Sequence, residues 1–154
     1  MTSWEDADGN TVVENTYDSS DRVTEQKDAN GNSSKLSYRT GMTVTTDNLG
    51  NKTTYYYDEQ YRTTQILYAD GAKETKQYDA ENHLAASTDA AGNTTSYQYD
   101  ANGNLTREER ADGTARSMEY DSAGNLIKEV DYNGNTTTYR YGCDKIGLNQ
   151  KTLI

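Results

Sequence analysis

The chain has 154 residues, of which 32% are apolar and 26% charged, with a formal net charge of −10. It contains 14 Tyr and 12 Gly but one Cys, one His and neither Pro nor Phe. No run of about 20 apolar residues is present to span a bilayer, and no apolar stretch follows Met1–Trp4 as a signal peptide would require.

The acidic balance argues against nucleic acid and anionic membranes, whose phosphates call for clustered Lys and Arg. A single Cys143 excludes an internal disulfide or a Cys-based metal framework, and a single His83 leaves little for acid–base chemistry. Low hydrophobicity with high net charge is a signature of disorder. A repeat running through the whole chain opposes that reading.

From the N-terminus, Tyr17, Tyr38, Tyr57, Tyr78, Tyr99, Tyr120 and Tyr141 follow at intervals of 21, 19, 21, 21, 21 and 21 residues. Gly9, Gly31, Gly50, Gly71, Gly92, Gly113 and Gly134 form a second series, at 22, 19, 21, 21, 21 and 21. Each unit carries two turn signals. One follows the Tyr, as in Asp100-Ala101-Asn102-Gly103 and Asp121-Ser122-Ala123-Gly124. The other ends at the phased Gly, as in Asp28-Ala29-Asn30-Gly31 and Asp89-Ala90-Ala91-Gly92. Asp can bond its own backbone two residues on, and Gly accepts positive φ, which is hairpin-loop chemistry. Asn82 replaces the first-turn Gly in one unit and tolerates the same left-handed conformation.

Between turns, residues alternate. Thr53, Tyr55, Tyr57, then Thr95, Tyr97, Tyr99, then Thr137, Tyr139, Tyr141 fall on one face, with polar residues such as Ser96 and Gln98 between them. Period two with Thr and Tyr enrichment predicts half-buried strands. The return strands open with Val23, Val44, Thr63, Leu84, Leu105 and Leu126 and then turn polar. The strand from Val44 to Gly50 reads as two residues shorter than its counterparts, a change that keeps every side chain on its face. Ala-Asp-Gly turns at Gly71 and Gly113 hint at a 42-residue superperiod.

The expected fold is all-β: about seven tandem hairpins of about 21 residues in one array over 1–154. No such hairpin is stable alone, so burial must come from its neighbours. About fourteen strands at roughly 4.8 Å would run about 67 Å, long enough for a twisted sheet to curl. The expected form is a curled, spiralling strip, a solenoid or shell segment, with a Tyr ladder inside. Both ends fall partway through a unit and no capping repeat is evident, so the array reads as a segment of a longer one with open edges prone to self-association.

Tyr-Asp-Ala-Asn-Gly-Asn-Leu-Thr (99–106), Tyr-Asp-Ser-Ala-Gly-Asn-Leu-Ile (120–127) and the run 131–141 resemble the YD repeats of the rearrangement-hotspot (Rhs) family. The resemblance implies a strip of hairpins winding into a hollow shell. Such shells enclose a toxin in bacterial polymorphic toxins and insecticidal toxin complexes, and form an extracellular barrel in teneurins. It also implies a secreted or surface location. Asp144-Lys145-Ile146-Gly147-Leu148 faintly resembles the family's self-cleavage motif, but Lys145 stands where that motif has Pro, and an eighth repeat is the better reading.

No residue is assigned a catalytic, cofactor-binding or metal-ligating role, and no enzyme is expected. The Asp-x-Asn-Gly-Asn runs place Gly fourth rather than sixth, which suits a turn and not a calcium loop. Glu108 and Glu109 are strand neighbours on opposite faces, so they cannot pair as a glycosidase dyad and read as a solvated strand. Cys143 and His83 form no nucleophile constellation, and Cys143 reads as an exposed thiol. Phased Tyr is better explained as core, whereas Tyr56 and Tyr61 lie off phase and suit exposed stacking on glycans. Asn32, Asn51, Asn93, Asn104 and Asn135 open sequons, yet each follows a turn Gly and needs no glycan to explain it. The leading reading is a non-enzymatic wall that encloses or displays a polypeptide. A glycan-binding adhesion module and an edge-assembling module are the alternatives.

Overall fold

A computed structural model describes residues 2–143 and 149–153, with side chains described up to Tyr141. The chain forms two compact units, residues 1–75 and 76–154. Every described element is a strand, and no described helix is long and apolar enough to cross a membrane.

The first unit holds β1 (Thr2–Glu5), β2 (Thr11–Tyr17), β3 (Val23–Asp28), β4 (Ser33–Arg39), β5 (Met42–Thr46), β6 (Lys52–Tyr57), β7 (Thr63–Leu67) and the start of β8 (Lys73–Tyr78). Each pairs antiparallel with the next. The second unit continues with β9 (Leu84–Thr88), β10 (Thr94–Tyr99), β11 (Leu105–Glu109), β12 (Ala115–Tyr120), β13 (Leu126–Val130), β14 (Thr136–Cys143) and β15 (Asn149–Leu153). Here too each strand pairs with its chain neighbour. This is the meander that alternating Tyr and Thr between Gly turns dictates. The all-β hairpin-repeat architecture expected from the sequence is present.

Register sets the faces. Tyr97 lies opposite Glu108, which lies opposite Arg116, while Met118 lies opposite Glu129. One face therefore gathers Tyr97, Tyr99, Met118, Tyr120 and Tyr139. The other gathers Gln98, Arg107, Glu119 and Lys128, with ion pairs Arg107–Glu109 at 3.0 Å and Lys128–Glu119 at 2.7 Å. Met118, 6% exposed, is the buried apolar residue of the described chain. Single sheets of this kind bury side chains only against their strand neighbours, so most positions are half-buried.

The shortened repeat corrects one expectation. β5 has five residues, as do β7, β9, β11 and β13, so the strand is not short. The deletion lies at the turn. Tyr17 pairs with Val23 across five residues and a bulge follows, so that Thr16 pairs with Glu25. Tyr38 pairs instead with Thr43, Arg39 closes directly on Met42 around Thr40-Gly41, and the ladder runs on without a bulge. One turn residue and one bulge residue are gone. Val44 thus occupies the place of Glu25, not of Val23.

Candidate functional site

The turns are built by one carboxylate each. In the 100–104 turn, Asp100 Oδ1 accepts the backbone N–H groups of Asn102 and Asn104, both at 2.9 Å. Asn104 Nδ2 donates to Asp100 Oδ2 at 2.9 Å. Gly103 N donates to the Asp100 carbonyl at 3.0 Å, with Gly103 at φ 82°. The same pattern recurs at Asp6, Asp28, Asp47, Asp89, Asp121 and Asp131. Arg22, Arg62 and His83 stand where Asn104 does and donate to Asp18, Asp58 and Asp79 at 2.9, 2.7 and 3.1 Å. The His contact is a donation when Nδ1 carries its proton. In the Ala-Asp-Gly turns the carboxylate moves two residues along. Asp70 and Asp112 then take the N–H of Ala72 and Thr114 at 2.9 and 2.8 Å.

This accounts for the Asn of each sequon, whose side chain closes a turn. It also accounts for the Asp-x-Asn-Gly-Asn runs without calcium, because the carboxylate oxygens already accept two or three donors. Side-chain donation from the residue four positions on, then backbone N–H groups, hold the carboxyls of Asp100, Asp121 and Asp131 below the ordinary carboxylate range. At Asp58 and Asp79 desolvation pushes upward, and the backbone and side-chain donors of Arg62 and His83 outweigh it.

The left-handed residue of the Tyr turn is not always Gly or Asn. Asp21 at φ 57° and Tyr61 at φ 61° join Asn82 at φ 73° there. Tyr61 is 88% exposed, as its off-phase position suggested, whereas Tyr56 is half-buried in β6.

The phased Tyr residues are fasteners between hairpins. The hydroxyls of Tyr38, Tyr99, Tyr120 and Tyr141 donate to the carbonyls of Val23, Leu84, Leu105 and Leu126 at 2.7, 3.1, 2.9 and 2.9 Å. Each acceptor opens the return strand of the preceding hairpin. Within a hairpin, bulge residues tie the two strands together, with Thr24, Thr64 and Thr106 donating to the carbonyls of Thr16, Tyr56 and Gln98 at 3.3, 3.4 and 3.1 Å.

Glu108 and Glu109 do point to opposite faces, but Glu108 is not solvated. Its side chain is 17% exposed and takes Arg116 at 2.8 Å. Arg116 also reaches Glu129 at 3.8 Å, and Arg110 lies 3.5 Å from the Tyr132 ring centroid. His83 stacks on Tyr99 with centroids 4.5 Å apart, far in sequence from Cys143, whose side chain lies outside the described residues. The 144–148 segment, read as an eighth repeat, is outside them too.

A tandem array of turn-locked, Tyr-fastened hairpins defines the class: a structural β-repeat module. The second half of the array is similar to YD, or Rhs, repeats. The RHS Repeat family matches residues 78–115 and 120–142. No curated protein matches the chain. Among solved structures, the Photorhabdus luminescens Tc holotoxin pore superposes with a TM-score of 0.72 at 19% identity, over 84% of this chain and 8% of that one. The TcdB2-TccC3-Cdc42 structure gives 0.75 at 17% identity, over 97% and 10%. TcdB2-TccC3 gives 0.73 at 21%, over 84% and 8%. This chain therefore spans about a tenth or less of the length of those chains, and they share its fold.

Proposed function

We propose that the chain is a wall segment of a longer YD-repeat shell, secreted or displayed at the cell surface, which encloses or presents another polypeptide without acting as an enzyme. The observation that carries this reading is the recurrent fastening of one hairpin to the one before it by a Tyr hydroxyl on a strand-opening carbonyl, at Tyr38, Tyr99, Tyr120 and Tyr141. That bond has no use in an isolated hairpin and extends without limit along an array. The likeness in fold to Tc toxin structures supports the same reading. The turn carboxylates and the Asn, Arg and His side chains that face them are spent on closing the turns.

The test is the size and protection of the native polypeptide. Immunoblots of source cells and medium with an antibody to this segment should give a band far above 17.2 kDa, at the surface or in the medium. Within that polypeptide a second segment should resist protease until the shell is denatured. A native band near 17.2 kDa would overturn the wall reading.

A second reading, edge assembly, draws on β1. All four of its residues are exposed, Trp4 at 76% among them. In an array this edge is the seam to a further hairpin, and in isolation it is a surface for another copy. Sedimentation that does not change with concentration would exclude the latter. Glycan binding by phased Tyr is less well supported, because the hydroxyls of Tyr38, Tyr99, Tyr120 and Tyr141 are committed to carbonyls.

A further inference from the structure

The first unit contains a notch that the repeat pattern does not explain. Successive turns at the Tyr end join β2 to β3, β4 to β5 and β6 to β7. The outer two are five-residue Asp turns, closed by Asp18–Arg22 and Asp58–Arg62. The middle one is the shortened Arg39–Met42 turn. A short turn between two longer ones leaves a cleft of about 490 Å³, the size of a small-ligand or side-chain pocket.

Its floor is fixed where Tyr57 N donates to the Gly41 carbonyl at 2.8 Å. Met42, Tyr57 and Tyr61 supply its apolar surface. Tyr38 on one wall is already covered by the Arg22 guanidinium, 4.5 Å from the ring centroid. Asp58 is spent as well, on the N–H groups of Gln60 and Arg62 and on Arg62 Nε. Two charged lining groups, Arg39 and Glu59, have no ion-pair or hydrogen-bonded partner among the described residues. Tyr61 adds an independent observation. It holds a left-handed backbone that disfavours an aromatic side chain, yet it is 88% exposed, so no burial within this chain offsets the strain.

We propose that this notch binds a polypeptide segment presenting an aromatic side chain flanked by charges of both signs. The ring seats on Met42, Tyr57 and Tyr61. A flanking carboxylate meets Arg39 and a flanking ammonium meets Glu59. The charges select this occupant: the notch has one free cation and one free anion, which complement a ligand carrying both. The site lies wholly in the first unit and does not depend on the wall reading.

The test uses the full chain and a dye-labelled, blocked Lys-Ala-Trp-Ala-Glu peptide, read by fluorescence anisotropy at low salt. Saturable binding is expected. Tyr61→Gly should weaken it about 10-fold while leaving thermal stability unchanged or higher, since Gly relieves the strained φ. Arg39→Ala and Glu59→Ala should each weaken it in a salt-dependent way. No saturation at millimolar peptide, or binding indifferent to Tyr61→Gly, would overturn the proposal. So would saturable binding of cellohexaose that Tyr61→Gly abolishes when the peptide does not bind, which would assign the notch to glycans.

Discussion

The Tyr120 hydroxyl donates to the Leu105 carbonyl at 2.9 Å, fifteen residues back along the chain. The acceptor lies outside the β11–β12 ladder, which runs from Arg107 opposite Ser117 to Glu109 opposite Ala115. The β11–β12 pairing stops short of Leu105, and the phenol supplies a donor to that carbonyl. A hydrogen bond of this kind contributes about 1 kcal/mol net. Tyr120→Phe should therefore lower the unfolding free energy by about 1 kcal/mol with the ring's packing retained. Urea unfolding followed by circular dichroism reads this directly. A loss under about 0.3 kcal/mol would mean that water replaces the phenol at no cost.

The same phenols set an alkaline limit. Desolvation raises the Tyr99 and Tyr120 hydroxyls above the ordinary phenol value. A raised folded value means that stability is fully present below the unfolded value and is lost as pH climbs through the folded one. The bond also needs the proton. Stability should thus fall above about pH 10, the ordinary phenol value. The absorbance rise of ionising Tyr should include a phase that coincides with unfolding. If all Tyr titrated before the β signal changed, the fasteners would not be limiting.

The turn carboxylates set the acid limit. Those of Asp28, Asp89, Asp100, Asp121 and Asp131 are lowered first by the Asn side chain four residues on and then by backbone N–H groups, against a desolvation that raises them. For a depressed group, stability is present above the unfolded value and lost as pH falls through the folded one. Unfolding should therefore set in below about pH 4. Asp100→Asn should keep the turn acceptor while removing one group's contribution to the acid slope, whereas Asp100→Ala should destabilise at every pH. An acid midpoint equal in wild type and Asp100→Asn would refute the assignment.

Strands and turns were legible because their signals are local: alternation between Tyr97 and Tyr99, and Asp with Gly three residues on. What lay between hairpins was not. The bond from Tyr120 to Leu105 depends on how one hairpin sits beside the next, which period two does not encode. The two-residue deletion was placed in β5 because removing two residues keeps side-chain faces wherever it falls. Only pairing of Tyr38 with Thr43 locates it in the turn. Glu108 read as solvated because its partner Arg116 is eight residues on, brought opposite by the length of the turn between them. Tyr61 could have been found from its offset of three from Asp58, where other repeats have Gly103 or Asn82. Residue preference argued against looking there.

Two glycines with the same φ of +82° separate backbone strain from packing. A Cβ on Gly113 would meet nothing within 4 Å, whereas one on Gly103 would lie 3.0 Å from His83 Nε2, in a ring that stacks on Tyr99. Gly113→Ala should cost about 1 kcal/mol from the left-handed backbone alone. Gly103→Ala should cost more, because the imidazole must shift from Tyr99 or from Asp79. Thermal melts of the two variants measure the difference. Equal losses would show that His83 gives way freely.

Arg116 and Glu108 test the polar part of the Tyr face. Arg116 spans Glu108 at 2.8 Å and Glu129 at 3.8 Å, and Glu108 is 17% exposed, so removing the guanidinium leaves a half-buried carboxylate without its cation. Arg116→Met keeps an apolar stem on the same face of β12 as Met118 but not the charge, and should cost about 1–2 kcal/mol. Glu108→Gln in the Arg116→Met background should recover part of that loss, because the amide tolerates desolvation better than the carboxylate. A double-mutant cycle should therefore give a coupling of about 1 kcal/mol between the two positions. It should shrink only slightly in added salt, since a half-buried pair is screened less than an exposed one such as Lys128–Glu119. A coupling near zero would mean that Arg116 acts through its packing against Tyr132, whose ring centroid lies 5.9 Å from its guanidinium, and not through its charge.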